Sequence, residues 1–556
     1  MKTINRYISG VALSLTAFSL VSCSESFLTE EPSSKLPLES YYNSYSRCQE
    51  AAVAAYHPLQ WFDYFSGWAP LNLVWDCQAD DIYIGGANTS DQGQLHLISQ
   101  YRSDPNNTIG GAWTTAYSGI NRSIRLIDDA EACTSLSDDE RNAFIAEGHV
   151  LRNWYYLTLW KIWGNIPYYE QNLEYPYIAT QYSAAEIYER CVTDLENTIA
   201  MNALPNKRPD EWAGRMTQAA AKMIYADFVM IQADESRYAK ALQYMKEIIA
   251  SNDYKLVAGA DYDHLFDLEH EWNEEIILDI NFQAKGGLRD WGNANATGGT
   301  VLPVLIGIDG LSYKNVTDDN LIQFNTGGWG FGTVSKEVYD ACEENDLRRD
   351  VAILNADKYM EENFNNGAAI INYGGRYQNT GYFLRKYQGR PGCADGANAA
   401  SNLNADNNLH LYRYAETLLN AAELGMYLGD GQAQSYFDLV RSRAGLESKP
   451  VNLDNILAER RIEFVGEGKR YFDLVRTGKA QSVLSAGAGC VMESHRKLVE
   501  NGSSWSWDGT NKWSATGKAI PEREAWTAKK RWIPIPQSEI ESCNGFQPGS
   551  LIQNEY

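Results

Sequence analysis

Two helix-forming segments, residues 217–234 and 237–251, stand on either side of a short polar turn, and this pair restricts the fold more than any other stretch. Each repeats apolar residues at the three- and four-residue spacing of a one-sided helix. The first carries Ala219, Ala220, Ala221, Ala226 and Ala233, small residues that let a neighbouring helix approach closely. So short a turn makes the pair an antiparallel hairpin. The chain therefore reads as a mainly α fold on a tetratricopeptide-like helical-hairpin scaffold, without the strict consensus of such repeats.

Similar periodicity predicts helices over 41–61, 113–132, 138–164, 183–201, 409–428, 431–444 and 453–477. Cys48, Ala51, Ala52 and Ala55 form the apolar stripe of the first. Residues 135–140, Ser-Leu-Ser-Asp-Asp-Glu, supply an N-cap and an acidic first turn for the third. Trp154, Trp160 and Trp163 recur on that helix at helical spacing and are read as core. Two regions break the pattern. Residues 62–112 are rich in Gly, Asn and Asp. Residues 255–408 combine a strand-like run at 275–281 with Gly- and Asn-rich stretches at 284–300, 325–333, 365–381 and 389–408. A long irregular insertion in a helical protein is usually functional. The organisation read from the sequence is a scaffold over 41–254 with a loop-rich ligand region at 62–112. A partly β ligand-binding insertion follows over 255–408, and helical hairpins with a loop-rich tail over 409–556 complete the scaffold.

Residues 1–22 combine Lys2 and Arg6, a short apolar core and a closing Leu20-Val21-Ser22 before Cys23. The apolar core is too short for a comfortable bilayer span. Cysteine directly after Leu-Val-Ser reads as a bacterial lipobox, with Cys23 the acylated first residue of the mature chain and 23–40 a polar tether. Acyl chains on one residue would hold the body stably on a membrane, tethered outside the cytoplasm. The net charge of −24 disfavours nucleic acid, whose recognition rests on cationic contacts to phosphate. The remaining eight cysteines contain no CxxC pair, which excludes the common zinc-finger and redox spacings. They read as mostly buried thiols.

The common catalytic motifs are absent, and paired carboxylates are the one enzyme signature left open, since acid/base glycoside cleavage needs only two of them. There is no HExxH, with His264 and His270 six residues apart, and no GxSxG elbow, P-loop or GxGxxG at a strand–helix junction. Carboxylate pairs such as Asp80-Asp81 and Glu343-Glu344 occur, but 72 acidic residues make such adjacency expected by chance. No EF-hand loop is present, although the many Asp and Asn side chains admit a structural Ca2+. No cofactor is implied.

Several blocks together resemble one family. They are the lipobox at Cys23; Glu147 with Leu151-Arg152-Asn153-Trp154-Tyr155-Tyr156; Trp163-Gly164-Asn165-Ile166-Pro167; Gly214-Arg215; and residues 411–423. The strongest is Glu459-Arg460-Arg461-Ile462-Glu463-Phe464, continuing through Glu467-Gly468-Lys469-Arg470-Tyr471-Phe472-Asp473. Ile533-Pro534-Ile535-Pro536 and Gln553-Asn554 close the order. The blocks span nearly the whole chain and resemble the SusD/RagB family of outer-membrane nutrient-binding lipoproteins. Physically the 459–476 block is a charge-laced helix hairpin locking the scaffold, with Glu467 in reach of Arg470 and Asp473 of Arg476. It identifies the scaffold and not the ligand.

The resemblance implies a non-catalytic surface lipoprotein that captures oligosaccharide or polysaccharide and delivers it to a SusC-like TonB-dependent outer-membrane barrel. A peptide-binding importer subunit and a helical glycoside hydrolase stay open as alternatives. Sugar recognition needs aromatic faces together with polar groups for the hydroxyls. With 16 Trp, 35 Tyr and 16 Phe, the candidates are residues of loops that hold both kinds. Those in the first loop region are Trp61, Trp68, Trp75, Asp80, Asp81 and Tyr83. Those in the insertion are Trp291, Asn293, Trp329, Arg376 and Tyr377. Trp505, Trp507 and Trp513 sit in a polar tail segment and are read as structural.

Overall fold

The computed structural model describes residues 41–64, 68–292, 298–365, 369–487 and 489–556. The lipobox at Cys23 and the candidate Asn293 lie outside them.

The scaffold is a series of helices, each packed on the next. They are α1 (Tyr45–Tyr56), α2 (Gly110–Ala132), α3 (Asp138–Trp163), α4 (Ala184–Met201), α5 (Gln218–Gln232) and α6 (Tyr238–Ser251). The series continues in α7 (Tyr414–Leu428) and α8 (Ala433–Arg443), while α9 (Leu453–Glu463) packs back on α7 and α10 (Arg470–Arg476) on α5. Helix starts follow local chemistry. Ser137 caps α3: its hydroxyl accepts from the Glu140 N–H at 3.3 Å, and the Glu140 carboxylate accepts from the Ser137 N–H at 2.9 Å. Ser183 and Glu186 repeat this box at α4. The alanine face of α5 and the three tryptophans of α3 are buried as expected. Helix α6 packs directly on α7, so the long insertion leaves and re-enters between neighbouring helices.

Two sheets organise that insertion. Strands β2 (Ile276–Ile280) and β6 (Leu409–Arg413) pair antiparallel and close its base. The second sheet has the order β1-β3-β5-β4, from β1 (Ile82–Gly85), β3 (Phe331–Val334), β5 (Tyr382–Leu384) and β4 (Ile353–Asn355). In it Ile82 opposes Val334 and Gly85 opposes Phe331. The early loop region and the middle insertion, separate in sequence, thus share one sheet.

Three expectations need correction. Residues 409–413 form β6 and not the first turn of a helix, because they pair with β2 and bury on both faces. The 453–477 segment breaks between α9 and α10, where Gly466 and Gly468 adopt positive φ of 83° and 72°. A Cβ on Gly468 would also lie 2.9 Å from the Trp75 ring. The Glu467–Arg470 pair does not form. Glu467 instead pairs with Arg413 and Lys386, and Arg470 with Asp80. The Asp473–Arg476 pair does form, at 2.8 Å.

The charged block therefore locks the molecule through long-range pairs. Buried Glu463 contacts Arg348 at 2.9 Å, Arg413 at 3.0 Å and Arg443 at 2.6 Å. Arg348 and Lys386 come from the insertion, so this network fastens the insertion to the C-terminal helices. The eight described cysteines form no disulfide; Cys48, Cys77, Cys133, Cys191 and Cys393 are buried. Among the described residues no helix is long and apolar enough to cross a membrane.

Candidate functional site

Trp68, Trp291 and Trp329 come together from three separate loops. Their ring centroids form a nearly equilateral triangle, with separations of 5.5 Å (Trp68–Trp291), 5.5 Å (Trp68–Trp329) and 5.7 Å (Trp291–Trp329). The Trp291 plane is tilted 34° from Trp68 and 33° from Trp329, and the outer two are 65° apart. The three planes therefore turn progressively in one sense. Trp291 is 65% exposed, while Trp68 and Trp329 are half-buried against the core. The Trp291 indole therefore presents an open apolar face to solvent beside two partly buried ones.

Each indole is held by identifiable partners. Tyr64 lies 4.5 Å from Trp68, and the buried Arg289 guanidinium sits 4.8 Å over the Tyr64 ring. Arg289 donates to Gly299 O at 2.5 Å and lies 3.5 Å from the Asp63 carboxylate. That carboxylate accepts from the Val301 N–H at 2.9 Å. Arg289 is two residues before Trp291 in the chain, so the same loop carries the cation behind Tyr64 and the exposed indole. Burial raises the Asp63 carboxyl above its ordinary value, against the lowering pull of Arg289.

Trp329 is fixed through its backbone. Its N–H donates to Val304 O at 2.9 Å, and the Gly330 N–H donates to Gly307 O at 2.8 Å. Arg376 donates to Trp329 O at 3.0 Å and pairs with Asp309 at 2.7 Å. Gly328 is required here by close approach: a Cβ on it would meet the Gly307 carbonyl carbon at 2.0 Å. Gly86, just after β1, donates to Gly330 O at 3.1 Å and accepts from the Tyr377 N–H at 3.2 Å. Beside the Trp329 loop lies a polar cavity of about 340 Å³. Its lining includes Gly328, Asn325, Thr326, Gln388, Asp395 and Asn402.

The sequence candidates divide accordingly. Trp68, Trp291 and Trp329 form the cluster. Arg376 supports it, and Tyr377 stands close by, half-buried beside His96 at 5.7 Å. Four others are corrected to structural roles. Trp75 is 8% exposed, against Phe472 at 5.7 Å with the Lys161 ammonium 5.0 Å from its ring. Tyr83 is fully buried on β1. Asp80 pairs with Arg470 at 3.0 Å and Asp81 with Arg461 at 2.5 Å. Desolvation would raise the Asp80 carboxyl, but Arg470 and Arg461 outweigh it and hold it at about 2. Trp61 lies apart, with the Arg122 guanidinium 4.8 Å over its ring. In the tail, Trp507 packs on Phe364 at 5.8 Å and under Arg496 at 4.1 Å.

Sequence reasoning missed Asp63, Tyr64, Arg289 and Asp309, which position the cluster. A trace of them was present: Tyr64 is four residues before Trp68, and Arg289 two before Trp291.

Comparison with known proteins agrees with this architecture. Residues 316–556 match the model described as "SusD family". Residues 27–229 match the one described as "Starch-binding associating with outer membrane". Among solved structures, surface glycan-binding protein A from Bacteroides thetaiotaomicron in complex with laminarihexaose is 39% identical. It covers 92% of this chain and 99% of its own, with a TM-score of 0.79. Surface glycan-binding protein A from Bacteroides uniformis is 35% identical, covering 92% and 100%, with a TM-score of 0.73. A laminarin binding SusD-like protein is 27% identical, covering 92% and 98%, with a TM-score of 0.74. A SusD-like protein of Bacteroides ovatus is 24% identical over 84% of this chain and 81% of its own length.

Proposed function

The chain belongs to the SusD family, and from that premise we propose that it is a non-catalytic, surface-exposed glycan-binding protein that stacks laminari-oligosaccharides on the Trp68–Trp291–Trp329 cluster. The single observation that carries the reading is the exposed Trp291 ring flanked by two anchored indoles. Indole faces stack well on the C–H surfaces of sugar rings and tolerate small changes of register. Three planes turning in one sense suit a glycan that changes direction along its length better than a flat ribbon. The adjoining polar cavity supplies amide and carboxylate groups for hydroxyls. The complex of the Bacteroides thetaiotaomicron relative with laminarihexaose supports this ligand class.

The working arrangement follows. Acylated Cys23 anchors the chain to the outer membrane, and the tether leaves the body facing outward. A SusC-like TonB-dependent barrel receives the captured glycan. Binding must then release its ligand intact, and reversible stacking with peripheral hydrogen bonds does so without chemistry.

Calorimetric titration of the mature chain with laminarihexaose, cellohexaose and a peptide mixture tests the reading, with chromatography of the recovered ligand. The expected result is binding of laminarihexaose in preference to cellohexaose, with no shortened products. Turnover of the oligosaccharide, or binding of peptides alone, would overturn it. Co-purification of a large barrel from native membranes tests the partner.

A further inference from the structure

We propose that His264, Asp267 and His270 form a binding site for a divalent transition-metal ion of the Zn2+ type, apart from the tryptophan cluster. One ligand atom from each of the three side chains lies within 4.8 Å of the other two. The imidazoles face one another at 3.6 Å with planes 11° apart. His270 Nδ1 is 2.8 Å from the Asp267 carboxylate. Two imidazoles and a carboxylate are a borderline-soft donor set, which suits Zn2+, Ni2+ or Cu2+ and not Ca2+ or Mg2+.

The surrounding backbone is built to hold these three groups in place. Asp267 Oδ1 accepts from the N–H groups of Glu269 at 3.0 Å and His270 at 2.9 Å. The Asn273 side-chain amide donates to His264 O at 3.2 Å and His270 O at 3.1 Å, tying both histidines to one anchor. The segment is itself moored: Arg390 pairs with Asp263 at 2.6 Å, and His410 Nε2 donates to Leu265 O at 2.5 Å. The ligands are half-buried, so an ion reaches them from solvent and the rings keep freedom to turn. Tetrahedral zinc with bonds near 2.1 Å needs donors about 3.4 Å apart. The ligand atoms already lie within 4.8 Å of one another, and the stacked rings must turn out of their near-parallel setting for both to aim a nitrogen at one ion. Three protein ligands leave a fourth position for water. A bound ion would clip the segment that leads into β2, at the base of the insertion.

Isothermal titration of the full mature chain with ZnCl2, with CaCl2 as the comparison cation, tests this. The expected result is one Zn2+ per chain at micromolar affinity or tighter and no Ca2+ binding at these residues. His264→Gln/His270→Gln and Asp267→Asn should each weaken Zn2+ binding at least tenfold. Circular dichroism of the variants checks that the fold is retained. A zinc-dependent rise in melting temperature should appear in the parent chain and vanish in the double variant. An absence of Zn2+ binding by the parent chain, or equal Zn2+ affinity in the folded variants, would overturn the site.

Discussion

Trp291 is the residue on which ligand affinity should depend most, because it offers the largest open apolar face of the cluster. Removing a central aromatic anchor typically costs about 2 kcal/mol, on the order of 30-fold in affinity. Trp291→Ala should therefore weaken laminarihexaose binding 10- to 30-fold in calorimetry and leave the melting temperature nearly unchanged. Trp75→Ala should do the reverse, because Trp75 is packed under Lys161 and against Phe472. It should destabilise the protein by about 3–5 kcal/mol, read from denaturant unfolding. At this scale the sequence was legible in part. Tryptophans in polar loops stand out in the sequence, but Trp68 and Trp75 look alike in one dimension. Burial separates them, and burial is decided by partners hundreds of residues away. Asp80 and Asp81 mislead for the same reason: their arginines lie in α9, at Arg461, and in α10, at Arg470.

At the scale of elements, the loop bearing Trp329 is set by its contact with the segment around Gly307. Gly328→Ala would force a Cβ into the Gly307 backbone, and the loop must shift. The variant should remain folded and lose laminarihexaose affinity severalfold although no indole has been removed. An unchanged affinity would show that the position of Trp329 is not critical. The helical hairpins were legible because their signals are local: a 3.6-residue period, small residues and serine caps. Strand β6 was not. Its five residues run directly into α7, and only the distant β2 turns them into a strand. The β1–β3 pairing was equally hidden, since neither strand carries any mark of the other. That pairing brings the two candidate loop regions together, so the site as a whole could not be read before the fold was known.

At the scale of the molecule, the buried charge network joins insertion to scaffold. Desolvation would raise both carboxyls, but Arg443, Arg413 and Arg348 hold Glu463 well below the ordinary range. Arg413 and Lys386 hold Glu467 at about 2. Carboxyls depressed in the folded state stabilise it above their unfolded value of about 4.3, and that stabilisation is lost as pH falls toward 2. The urea midpoint should therefore fall steadily below about pH 5, and less steeply in Glu467→Gln. Identical pH profiles would remove the network from the explanation. Glu463→Gln should cost about 3–5 kcal/mol at neutral pH by removing the buried carboxylate that Arg348, Arg413 and Arg443 share. The network fastens the insertion that carries Trp291 and Trp329 to the C-terminal helices, and the proposed function has glycan stack on the indoles so presented. A crystal structure of the mature chain grown with laminarihexaose examines this most directly. It should place sugar rings within about 4.5 Å of the Trp291 face and at least one flanking indole. Sugar bound at another surface, with all three tryptophan faces bare, would contradict it.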